Sequence, residues 1–326
     1  MRITLRELLI VATLSLSSPI FGQAQVANFA LPSHPGAMSL DLTGLQVIQV
    51  TAKPAGVEIG VRAHDHQHTE LLAFLFLTPE NKNQSAASCR KAELDQIQKD
   101  SSGQVKLDTL DPDGTDTKEV ASMLTSYGGT QSMYKYFGYG DQCFAVETYV
   151  DKGSKFDRSL ASALLRKQHY TPTYQPTSND KFIYASILYR NEQFLPSVPI
   201  YSDFLASTPN NQDTLVLRRV ATDNMGMALG MSGKVSEARK VFNDAVTSDP
   251  TYPLYYFNLA CADAEEGNAL DARKHLQQAF DRRANVNSKE AFPDPAKDDS
   301  ILKLKHDKNF WTFVQSLSSQ LAQPKN

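Results

Sequence analysis

The chain has 326 residues, long enough for two domains or one large one, with 41% hydrophobic and 21% charged residues, an ordinary globular composition. Its 33 basic and 36 acidic residues leave a formal net charge of -3. So even a balance predicts no strong attraction to nucleic acid or to an anionic membrane.

The opening "MRITLRELLIVATLSLSSPIFGQA" carries Arg2 and Arg6, then an apolar run from Leu8 to Leu16, then the small residues Gly22 and Ala24. That is the layout of a secretory signal peptide, cleaved after about Ala24. The run is too short to span a bilayer, which takes about 20 apolar residues, and Ser17, Ser18 and Pro19 interrupt it. No later segment is long and apolar enough to span. The chain is expected to be exported, to a periplasm or the medium. In such an oxidising compartment nearby thiols pair, and Cys89 with Cys143 is the leading pair of the three cysteines, leaving Cys261. The other reading is three buried free thiols.

Residues 25–170 alternate in the manner of strands at "GLQVIQVTA" and "VEIGVRA", joined by "KPAG". "ELLAFLFLT" is more continuously apolar and suits a central strand. "SAASCRKAELDQIQKD" reads as a helix, and Asp116 with Glu119 reads as a capping box opening a second helix over "TKEVASMLTSY". Two strands, "QSMYKYFGY" and "QCFAVETYV", flank the hairpin signal "GD", and a helix over 156–168 closes the region. The expected fold is α+β, an antiparallel sheet with packed helices. Residues 171–180, "TPTYQPTSND", read as a linker.

Beyond it, "DNMGMALGMSGKVSEARKVFNDAVTSDP" and "FNLACADAEEGNALDARKHLQQAF" superpose after a shift of 34 residues. Gly233 falls on Gly267, Ala238 on Ala272, Phe242 on Leu276 and Ala245 on Ala279. Small residues where two helices approach, a bulky one beside them, and glycine at the turn describe a repeating helical hairpin. The run Gly233, Ala238, Phe242, Ala245, Pro250 resembles the tetratricopeptide repeat. "KFIYASILYRNEQFLPSVPIYSDFLASTPN" reads as a degenerate earlier copy, and Phe310, Trp311 and Phe313 belong to a helix that caps the last one. The resemblance implies an all-α solenoid of about three repeats over 181–326. Secreted bacterial proteins that join an uncharacterised domain to such repeats have a similar layout.

Chemical signals are few. His64, His66 and His68 would share a face on a strand, yet they fall between two strands that pair as a hairpin, so a turn is expected rather than a metal site with Asp65 or Glu70. "DPDGTD" fails as a calcium loop because Thr109 and Val120 stand at its first and last ligand positions. No nucleophile elbow, zinc motif or catalytic constellation is present, and no metal or cofactor is implied. "YKYFGY" reads as a strand with one tyrosine face in the core. The resemblance implies a concave groove that takes a peptide or partner protein, with Asn224, Met227, Phe257 and Asn258 as its tentative lining. The other reading is an enzyme with its active site in residues 25–170 and the repeats as scaffold.

Overall fold

In the computed structural model the described residues are 26–322, without 33, 54–57, 66–68, 79–83, 151–156 and 289. The expected signal peptide with its expected cleavage point, and His66 and His68, lie outside them. The described chain forms two compact units that meet between Asn191 and Glu192.

The first unit holds two sheets. Strands β1 (Val26–Phe29) and β2 (Ala37–Asp41) pair with the late strand β10 (His169–Thr171) in the order β1-β2-β10. The larger sheet contains β3 (Gln46–Lys53), β4 (Glu58–His64), β5 (Thr69–Leu77), β6 (Lys106–Leu110), β7 (Val120–Tyr127), β8 (Thr130–Tyr139) and β9 (Gln142–Val150). Its order is β3-β4-β5-β9-β8-β7-β6, antiparallel throughout. β5 is therefore interior, as its continuous apolar run requires, and Leu71, Ala73 and Leu75 are fully buried.

Helix α1 (Ala86–Asp100) starts at a Ser85 capping box and lies on one face of this sheet. Cys89, on its buried side, forms a disulfide with Cys143 of β9, Cα atoms 5.7 Å apart. Helix α2 (Arg158–Arg166) is capped by Asp157. Helix α3 (Ser178–Arg190) packs beside edge strand β3, where Tyr184 and Asn191 donate hydrogen bonds to the carbonyls of Lys53 and Val50. Those side chains occupy carbonyls an edge strand would otherwise offer to another chain.

One expected element is overturned. Residues 120–127 are strand β7, not a helix. Asp116 accepts the Ser122 N–H at 2.7 Å and pairs with Arg90, while the Thr117 hydroxyl accepts from Glu119 and Val120. The capping side chains thus close a loop, and "VASMLTSY" pairs on both sides, with β6 and β8. Short β strands β1, β2, β6 and β10 had no clear signal in the sequence.

The second unit is helical: α4 (Phe194–Ser207), α5 (Leu215–Met231), α6 (Val235–Ser248), α7 (Pro253–Glu265), α8 (Ala269–Asp281), α9 (Asp299–Leu302) and α10 (Lys308–Leu321). α5 with α6 and α7 with α8 are hairpins, each turning at a glycine in the left-handed region, Gly233 at φ 80° and Gly267 at φ 77°. The residues that superpose in sequence, Ala238 and Ala272, Phe242 and Leu276, Ala245 and Ala279, are all buried. Gly226 on α5 lets the Phe242 ring approach so closely that a Cβ there would collide with it. These pairs have the tetratricopeptide-like form that the 34-residue shift predicts. α10 buries Phe310, Val314 and Leu317 in one cluster with Ala260, Leu276 and Phe280, and Trp311 and Phe313 pack against it.

Candidate functional site

One stripe of α7 is Phe257, Cys261 and Glu265, spaced four residues apart and so on one helix face. It is not bare. The segment between α8 and α10 runs along it. Phe292 meets Phe257 and Phe280 edge-on, at ring distances of 5.9 and 6.2 Å. The Cys261 thiol donates to Asp298 at 3.5 Å, and Ser300 donates to Glu265 at 2.7 Å, which also pairs with Lys303. Upstream, Tyr252 donates to Glu290 at 2.8 Å.

Between this segment, α5, α6 and α7 lies a cleft of about 450 Å³, open to solvent. Met227, Gly230, Val235 and Ala262 give it an apolar wall, and Asn258, Cys261, Glu265 and Asp298 give it a polar rim. Such a mixture is what an orienting pocket needs: apolar area for affinity, a few polar atoms for direction.

The groove residues expected from the sequence divide accordingly. Met227 lines the cleft and is half-buried. Asn258 also lines it, but its side chain is almost wholly buried and donates to Asp223 at 2.6 Å. Asn224 donates to the Tyr201 hydroxyl at 3.0 Å. Phe257 is buried, with Phe292 packed edge-on against it. The sequence could not reveal this, because the segment that covers Phe257 departs from the repeat pattern.

The polar network behind the cleft is strongly polarised. Burial, with a smaller contribution from Glu290, pushes the Asp223 carboxyl up to about 8, against the hydrogen bond from Asn258. Burial and the Asp298 carboxyl also hold the Cys261 thiol well above its ordinary value.

In the sheet unit, His64 ends β4 opposite Glu70. Glu70 is engaged by Arg62 at 2.7 Å and by the Tyr149 hydroxyl at 2.5 Å. The three acids of "DPDGTD" serve the fold: Asp111 accepts the Thr115 N–H at 2.7 Å, Asp113 takes Ser162, and Asp116 takes Arg90. Among the described residues no three His, Cys, Asp or Glu side chains converge as a metal set. Tyr134 and Tyr136 of β8 lie buried on the α1 side of the sheet, their rings stacked 6.0 Å apart.

No known family profile matches the chain, and no curated protein does. Among solved structures, it is similar to PcrH from Pseudomonas aeruginosa at 10% identity, over 45% of this chain and 92% of that one, with a TM-score of 0.31. The Sgt2 TPR domain from Aspergillus fumigatus is 14% identical over 47% of this chain and 88% of that one, TM-score 0.32. MamA from Desulfovibrio magneticus RS-1 is 13% identical over 44% and 73%, TM-score 0.33. Likenesses this distant carry no argument about activity or partner.

Proposed function

We propose that the chain is an exported protein-interaction module of two domains, with a tetratricopeptide-type solenoid over the C-terminal half as its binding part. The observation that carries this reading is the solvent-open cleft at Met227 and Cys261, lined by α5, α6 and α7 of two helical hairpins that repeat in sequence and structure. Its apolar wall and polar rim suit a peptide segment of a partner protein that presents an aliphatic or aromatic side chain. Met227 is adaptable and polarizable, the kind of residue that moulds to such a side chain. Asn258 contributes by shaping the cleft wall, and Phe257, packed under Phe292, lies outside the lining. The proposed export draws support from the signal-like N-terminus and from the Cys89–Cys143 disulfide, a bond that persists in oxidising compartments.

The test is capture of partners from the native envelope and medium on the full chain, beside Met227→Lys and, as a control on an exposed helix surface, Leu270→Lys. Leu270 is 79% exposed, so its replacement leaves the cleft intact. A partner lost with Met227→Lys and kept with Leu270→Lys supports the cleft. A partner kept by both variants moves the contact elsewhere and removes this reading.

A further inference from the structure

On the α1 face of the large sheet, two acids lie within electrostatic reach of each other, and among the described residues no ion pair engages either. Tyr134 and Leu72 both lie opposite Glu147 in the ladder, and Tyr136 and Phe74 both lie opposite Ala145. With the side-chain period of two, these residues share one face with Cys143. The disulfide to Cys89 pins α1 above that face, and Glu93, one turn along from Cys89, hangs from the same side of the helix. Glu147 accepts from the Tyr134 hydroxyl at 2.8 Å. The Tyr136 hydroxyl, fully buried beside them, has no hydrogen-bond partner.

Two carboxyls and an orphan hydroxyl in a half-buried setting show no paired counter-charge among the described residues. The neighbouring cations are spoken for: Lys53 pairs with Glu58 at 2.5 Å, Arg62 with Glu70 at 2.7 Å, and Arg90 with Asp116. Burial first, then Glu147 and Glu58, pushes the Glu93 carboxyl up to about 7, and burial raises Glu147 too. Tyr136 is raised by burial and then by Glu93, and the register sets it beside Tyr134 and Glu147 on the same face.

We propose that Glu93 and Glu147, with the Tyr136 hydroxyl beneath them, bind a primary alkylammonium group whose stem lies along Leu72 and Phe74. An ammonium carries three N–H donors, and three acceptors stand on three separate side chains. A guanidinium prefers both oxygens of one carboxylate in a fixed fork, which a set spread over three residues does not offer. A metal ion does not fit either, since among the described residues no third ligand of metal-binding type joins the pair. Leu72 and Phe74 are half-buried and provide the apolar strip that a methylene chain covers.

The experiment titrates the full chain with n-butylammonium chloride, blocked lysine (acetyl-lysine methylamide) and n-butanol, read by calorimetry and by the ring signals of Tyr134 and Tyr136. Butylammonium is expected to bind and to shift both rings, while butanol does neither. The double variant Glu93→Gln, Glu147→Gln should weaken it about tenfold or more, the loss of one charged hydrogen bond or more. Wild-type protein at pH 5, where Glu93 keeps its proton, should bind as weakly, which covers a variant that fails to fold. Blocked lysine binding like butylammonium assigns the site to a partner's lysine, and butylammonium alone assigns it to a free amine. Equal binding of butanol, full binding in the double variant, or no binding of either ammonium probe overturns the proposal.

Discussion

Glu93 shows what an unpaired acid costs. Its carboxyl is raised from 4.5 to about 7, so the folded chain holds a proton that the unfolded chain has released. Stability from this group is therefore full below pH 4.5, falls as pH rises through about 7, and is lowest above it. Glu93→Gln should raise stability at pH 8 by about 1–2 kcal/mol, discounted because the carboxyl is only half-buried, and change little at pH 4. Urea unfolding at the two pH values checks this. Asp223 works in the same direction with its rise from 3.8 to about 8. The repeats should lose stability as pH rises from about 4 to about 8, and Asp223→Asn should flatten that slope; an unchanged slope would show that Asp223 is ionised in the fold.

At the scale of elements, close approaches and cross-links fix the packing. Gly138 of β8 faces the Ser85 carbonyl at the start of α1, where a Cβ would strike backbone that cannot rotate away. Gly226 faces a ring, which can shift slightly. Gly226→Ala is expected to cost about 1–3 kcal/mol, and Gly138→Ala at least as much, by thermal unfolding. The disulfide joins α1 to β9 across 54 residues of sequence, a closure worth up to about 4 kcal/mol in the chain-entropy model. Reduction should lower the denaturation midpoint of the sheet unit and leave that of the helical unit unchanged.

At the scale of the whole molecule, the units meet between α3 and α4 and not in the stretch 171–180. α3 carries the apolar spacing of a repeat helix, yet Tyr184 and Asn191 bind the backbone of β3. A fragment 192–326 should therefore fold alone with a strongly helical circular dichroism spectrum, its core held by the buried cluster around Phe257, Leu276, Phe280 and Phe310. A fragment with little helix would show that the helical unit depends on residues before Glu192.

The sequence by itself determined what local periodicity controls. The glycine turns at Gly233 and Gly267, the small-and-large pairing of α5 to α8, the interior strand β5 and the partner of Cys89 are legible because each rests on spacing or on a small set of pairings. Only the tertiary structure decided three things. It made a strand of 120–127, because pairing on two sides outweighed a capping signal that closes a loop equally well. It buried Phe257 under Phe292, because a proline-bearing segment without periodicity lies across α7. It set Glu93 within electrostatic reach of Glu147, 54 residues away in the chain, because the ladder register decides which acids share a face with the pinned helix, and that register is not written in local sequence.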